Sequence, residues 1–119
     1  MNHHFVWSPR YRRGLLVGQI AARLKALIAE KADELGYRVL QLEVMPDHVH
    51  LFASGSPTMS ANRIVGAIKG YSSRVLRREF PVLLKMPTLW TRSYFVSTAG
   101  DVSAKVIEQY IRSQRGTRP

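Results

Sequence analysis

Four side chains in this sequence have the types and spacing to do chemistry together. Residues 46–52 read PDHVHLF. In an extended strand His48, His50 and Phe52 point one way, and Val49, Leu51 and Ala53 the other. Two imidazoles on one strand face can offer ring nitrogens to a single divalent ion, provided other ligands arrive from elsewhere. The commoner use of such a pair is two hydrogen-bonded surface histidines, so spacing alone leaves both readings open. Near the C-terminus Tyr110 and Gln114 are four residues apart, one turn along a helical face. A glutamine carbonyl is an acceptable oxygen ligand. A tyrosine hydroxyl, with an ordinary pKa of about 10, becomes a nucleophile when a neighbouring cation favours the phenolate or polarises the target. An amphipathic cover residue and a solvated helix end describe Tyr110 and Gln114 equally well.

The elements that must hold these residues can be read from periodicity. Residues 3–8 (HHFVWS) are β-prone and stop at Pro9. Between 17 and 35 the apolar positions Ile20, Leu24, Leu27, Ile28 and Leu35 recur at helical spacing, with Gly36 where a helix-terminating glycine belongs. A second strand over 37–45 places Val39 on one face and Leu40, Leu42 and Val44 on the other. Pro46-Asp47 makes a tight turn into the histidine strand. Ser60 caps a helix to about residue 80, buried along Ile64, Ile68, Tyr71, Val75 and Leu76. An irregular connection over 82–87 leads to a fourth strand at 88–97, and Asp101 or Ser103 caps a last helix that carries Tyr110.

The order β-α-β-β-α-β, followed by that last helix, predicts an α+β fold. It is the ferredoxin-like split β-α-β pattern: an antiparallel sheet with two helices on one face and a C-terminal tyrosine-bearing helix. The histidines fall on the face away from the two helices, and the final helix, from this chain or a second copy, is its natural cover.

At 119 residues, 1–119 reads as a single domain. The absence of cysteine excludes disulfides and thiolate metal sites. No run approaches membrane-spanning length and the N-terminus has no signal-peptide core, so a soluble, cytoplasmic protein without a membrane partner is expected. Eighteen Lys and Arg against eight Asp and Glu give a net charge of +10, the electrostatic footprint of a phosphate-binding surface. Arg10, Arg12 and Arg13 flank Tyr11 in a basic loop suited to backbone contacts and stacking on an unpaired base. Along the second helix Arg63, Ala67, Gly70, Arg74 and Arg77 or Arg78 form a stripe whose small residues admit a phosphate backbone. Trp90 and Arg92 share a predicted strand face, where stacking on DNA and core packing are equal readings for the tryptophan. His3 and His4 read as a strand start rather than a second metal site.

The segments VWSPRYRR, LEVMPDHVHLF, IKGYSSRVLRREFP, LWTRSYFVSTAGDVS and IEQYIRSQ, in that order, resemble the single-tyrosine transposases of the HUH endonuclease superfamily. These are the TnpA-type enzymes of small insertion sequences that move as single-stranded DNA. The resemblance implies a divalent ion, Mg2+ or Mn2+, on His48, His50 and Gln114, and Tyr110 as nucleophile. It also implies transesterification through a 5′-phosphotyrosine that leaves a free 3′-hydroxyl. It further implies recognition of a DNA hairpin at the element ends, for which Lys69, Arg74 and residues 10–13 are contact candidates. The expected assembly is a homodimer whose tyrosine helix can act in trans. Two alternatives accompany this reading: a domestic relative acting on repeated palindromes by the same chemistry, and a catalytically silent nucleic-acid-binding module. The joint presence of His48, His50, Tyr110 and Gln114 favours the enzyme.

Overall fold

The computed structural model describes residues 2–10, 14–55, 59–97, 109–110 and 112–113. Strand β1 (Asn2–Trp7) is followed by helix α1 (Gly18–Glu34), then by the hairpin of β2 (Arg38–Met45) and β3 (His48–Ser54). Helix α2 (Ala61–Glu79), a 3-10 turn (Pro81–Lys85) and a short β4 (Phe95–Ser97) complete the layer. The strands lie in the order β2-β3-β1-β4, every pair antiparallel. This is the expected α+β architecture. Among the described residues no helix is long and apolar enough to cross a membrane.

Local chemistry accounts for the element ends. Ser60 accepts the backbone N–H of Arg63 and so caps α2, and Pro81 follows directly after its end. Gly36, at φ +80°, closes α1 in the left-handed conformation that glycine adopts at no steric cost. One side of the sheet, with Phe5, Trp7, Val49, Leu51 and Ala53, packs on Leu24, Leu27 and Ile28 of α1 and Ile64, Ile68 and Leu76 of α2 in one apolar cluster. A two-pronged ion pair from Arg23 to Glu79, 2.7 and 2.9 Å, joins the outer sides of the helices.

Three expectations are corrected. Residue 40 is the extra residue of a bulge between Val39 and Gln41, so Val39 joins Leu42 and Val44 on the core side while Leu40 is exposed. Tyr71 is only partly buried. It donates to Glu30 at 2.6 Å, and Val65 and Ser72 fill the α2 stripe with the isoleucines. The fourth strand is far shorter than 88–97. From Val6↔Phe95 to Pro9↔Trp90 the first side advances three residues and the other five, so the ladder breaks. Trp90 makes only an isolated bridge, flanked by Thr91 N–H on the Ser8 carbonyl and Arg10 N–H on that of Leu89. Trp90 turns into the core edge-on to Trp7 and donates its indole N–H to the Lys69 carbonyl at 3.1 Å. Core packing, not DNA stacking, is therefore its role, and it shares no strand face with Arg92, which is exposed.

Candidate active site

The sheet face opposite α1 and α2 is organised by a row that crosses all four strands. Glu43 pairs with His50, His50 with Val6, and Val6 with Phe95, so their side chains stand on one side of the sheet. Val6 at the centre of the row is fully buried. The period-2 reading of β3 holds: His48, His50 and Phe52 are on this face, half-buried, and Val49, Leu51 and Ala53 are sealed in the core.

The two histidines are held differently. His48 Nδ1 lies 2.9 Å from Asp47 Oδ1, so the turn that starts the strand also orients its first imidazole. Such a carboxylate fixes the tautomer and leaves Nε2 as the ligand nitrogen. His50 Nδ1 is 3.6 Å from Glu43 Oε1, and its Nε2 is 3.0 Å from His4 Nδ1. His4 is buried and stacked on Phe52 at 4.1 Å between ring centres. Burial, then the neighbouring His4, keeps the His50 imidazole below its ordinary pKa. It is therefore held in the neutral form that ligates metals.

This donor set fits a divalent ion in part. His48 is preset as a ligand. His50 would ligate either through Nε2, giving up its bond to His4, or through Nδ1 beside Glu43. Among the described residues no group of three His, Cys, Asp or Glu is arranged to hold an ion, so further ligands must come from other side chains, DNA or water. Gln114, the expected third ligand, lies outside the described residues.

At the other end of the row stands Tyr110, in a helical segment seen at residues 109–110 and 112–113. Its ring is 6.5 Å from that of Phe95 and its hydroxyl donates to the Ser93 carbonyl at 3.2 Å. Tyr110 is thus laid over β4 of its own chain, on the histidine face. Burial pushes its phenol above the usual range, opposed by polar contacts with Ser93, Thr91 and Ser8.

The predicted DNA-contact residues separate into two groups. Arg63, Arg74, Arg78 and Arg92 are exposed, and nothing crowds Gly66 or Gly70 beside the first two. Arg77 and Lys69 are engaged within the protein. Arg77 donates to the Met86 carbonyl at 2.8 Å and that of Pro87 at 3.4 Å, tying α2 to the exit of the 3-10 turn. Lys69 donates to the carbonyls of Thr91 at 2.7 Å and Ser93 at 3.2 Å. Arg10 donates its backbone N–H to Leu89, while Tyr11, Arg12 and Arg13 lie outside the described residues. Sequence reasoning missed His4 as a partner of His50, Asp47 as the orienting group of His48, and Lys69 as a neighbour of Tyr110. Only Asp47 carried a local signal, its adjacency to the histidine it holds.

Comparison with known proteins places these residues in context. Residues 1–114 match the family model for IS200-like transposases. The ISDra2 transposase TnpA of Deinococcus radiodurans is 36% identical over 117 residues, covering 96% of this chain and 84% of that protein. The transposase for insertion sequence element IS200 of Salmonella typhimurium is 31% identical over 115 residues, 94% of this chain and 75% of that protein. A crystal structure of a transposase from D. radiodurans R1 superimposes with a TM-score of 0.88 at 36% identity, over 96% of this chain and 90% of that one. A REP-associated tyrosine transposase bound to a REP hairpin shares the fold, with a TM-score of 0.62 at 14% identity over 92% and 61% of the two chains.

Proposed function

This chain belongs to the IS200-like transposase family, and from that premise we propose that it nicks and rejoins single-stranded DNA with Tyr110 as the attacking group. The observation that carries the proposal is the cross-strand row. It sets Tyr110, over Phe95, and the His48–His50 pair on the same sheet face. Phe95 and His50 are two strand spacings apart, about 10 Å between backbones, which suits a phosphodiester seated between nucleophile and imidazoles.

In the proposed reaction the Tyr110 oxygen forms a bond to phosphorus and the P–O3′ bond breaks. The 3′ oxygen takes up a proton and the phenol loses one. The 5′-phosphotyrosine keeps the energy of the original linkage, so a strand end with a free 3′-hydroxyl can reverse the step and rejoin DNA without a nucleotide cofactor. His48 and His50, with Gln114, would hold Mg2+ or Mn2+, which supplies Lewis-acid polarisation of the phosphate. Imidazole ligands favour manganese over the oxygen-preferring magnesium. Asp47 keeps His48 aimed, and the Ser93 carbonyl holds the Tyr110 hydroxyl until substrate is in place.

The exposed arginines Arg63, Arg74 and Arg78 along α2, with residues 10–13, would grip the phosphate backbone of a hairpin. The neighbour of the same fold that is bound to a REP hairpin supports this part of the reading. A homodimer that exchanges the tyrosine helix would use the same Ser93 and Phe95 contacts in trans.

The test is incubation with a labelled single strand from the DNA flanking the gene, with manganese or EDTA, resolved on a denaturing protein gel. A metal-dependent covalent band is expected with the wild type and none with Tyr110→Phe, whose hairpin affinity stays within about twofold. A band that persists in Tyr110→Phe would remove Tyr110 as the nucleophile. Hairpin binding with no band under any metal would return the chain to the silent-module reading.

A further inference from the structure

Lys69 sits mid-way along α2, yet its ammonium reaches the segment that leads into β4 and donates to two main-chain carbonyls, Thr91 at 2.7 Å and Ser93 at 3.2 Å. The second carbonyl is the one that receives the Tyr110 hydroxyl at 3.2 Å. Thr91 Oγ1 approaches the same oxygen at 3.3 Å. A carbonyl oxygen has two lone pairs, so three donors on Ser93 oversubscribe it, and at least one is held loosely. The Lys69 ammonium and the Tyr110 hydroxyl are therefore no more than two hydrogen-bond lengths apart, on a carbonyl they share.

The charge of Lys69 is also unbalanced. No carboxylate forms an ion pair with it among the described residues, and burial lowers its pKa to about 8. A partly desolvated cation with only carbonyl partners is one that an incoming anion stabilises. An ammonium has three donor hydrogens, and two are committed here. Its backbone is locked in turn: the Lys69 carbonyl accepts the Trp90 indole N–H at 3.1 Å. Helix α2 and the 90–93 segment thus clasp each other from both directions, and the ammonium has little freedom to swing into solvent.

We propose that Lys69 is a further catalytic residue, whose ammonium turns from the Ser93 carbonyl to a non-bridging oxygen of the scissile phosphodiester as Tyr110 leaves that carbonyl to attack. The inference rests on the proposed role of Tyr110. Lys69 keeps its three protons throughout. It neutralises the negative charge that gathers on the non-bridging oxygens as the Tyr110–P bond forms and the P–O3′ bond breaks. This assigns Lys69 to the cleaved phosphate rather than to the hairpin backbone, where charge counting alone would place it.

The experiment compares wild type, Lys69→Met and Lys69→Arg at saturating single-stranded substrate, with hairpin affinity measured in parallel as the control for folding. Adduct formation is expected to slow by about 10- to 1000-fold in Lys69→Met, with partial recovery in Lys69→Arg and hairpin affinity within about twofold of wild type. A substrate with sulfur at one non-bridging position of the scissile phosphate supplies a readout that a purely structural lysine would not move. Wild type should discriminate between the two phosphorothioate diastereomers, and Lys69→Met should lose most of that discrimination. An unchanged adduct rate in Lys69→Met overturns the inference and leaves the role of Tyr110 standing. So does a slower rate with the diastereomer preference intact. If the wild type forms no adduct at all, the nucleophile assignment falls and the inference falls with it.

Discussion

The two faces of β3 obey the same backbone and serve opposite ends. On the helix side Val49, Leu51 and Ala53 are sealed in the apolar cluster. On the other side His48 and His50 each find a polar partner, and Phe52 carries the His4 ring. The sealed face is held by burial, which has no direction. The histidine face is held by a few aimed hydrogen bonds, which can be redirected by a ligand. Stability and chemistry are thus assigned to alternate residues of one seven-residue strand, and a substitution should disturb one without the other.

The largest expected separation comes from Leu51→Ala. Truncating a fully buried leucine should cost about 2–5 kcal/mol in denaturant unfolding, while His48→Ala, on the opposite face, should change stability far less and remove metal-dependent cleavage. Equal stability losses for the two would erase the distinction between the faces.

Asp47→Asn makes a finer cut within the histidine face. Loss of the orienting carboxylate is expected to weaken manganese binding by about 10- to 100-fold, read by calorimetry in the absence of DNA. An unchanged affinity would show that His48 needs no aim from Asp47.

The smallest effect tests an imidazole on the sealed side. His3 pairs with Ala53 and its ring stacks on Phe5 at 5.5 Å, with Nδ1 buried and without a hydrogen-bond partner among the described residues. Burial lowers its pKa from the ordinary 6.5. The unfolded chain therefore takes up a proton more readily than the folded one as pH falls below 6.5. This contribution to stability is complete above that value and is lost as pH falls through the lower folded pKa. His3→Phe should flatten the loss between pH 7 and pH 5 measured by denaturant midpoints. A profile identical to wild type would place the acid sensitivity elsewhere.

Much of this layout was legible locally. The alternation of PDHVHLF predicted which side chains of β3 share a face, because strand geometry permits only two. Gly36, Ser60 and Pro81 marked helix ends through conformational limits or cap chemistry that act within a few residues. The β2 face assignment failed at Val39 because a bulge adds one residue and reverses everything before it. The fourth strand was overextended because Trp90 and Thr91 have strand propensity, while a register shift against the first strand between Phe95 and Trp90 leaves them an isolated bridge instead of a ladder.

The sequence by itself determined the fold class, the net positive charge and the set of candidate residues for the proposed chemistry, since all three depend on composition, period and motif. Only the tertiary structure decided that His4 would lean on His50, that Lys69 and Tyr110 would share the Ser93 carbonyl, and that Arg77 would be used up on the protein's own backbone. Those contacts, apart from Arg77's, join residues seventeen to forty-six positions apart. Their existence depends on strand register and on how a helix packs across a sheet edge, and neither is encoded in the spacing of the residues that meet there.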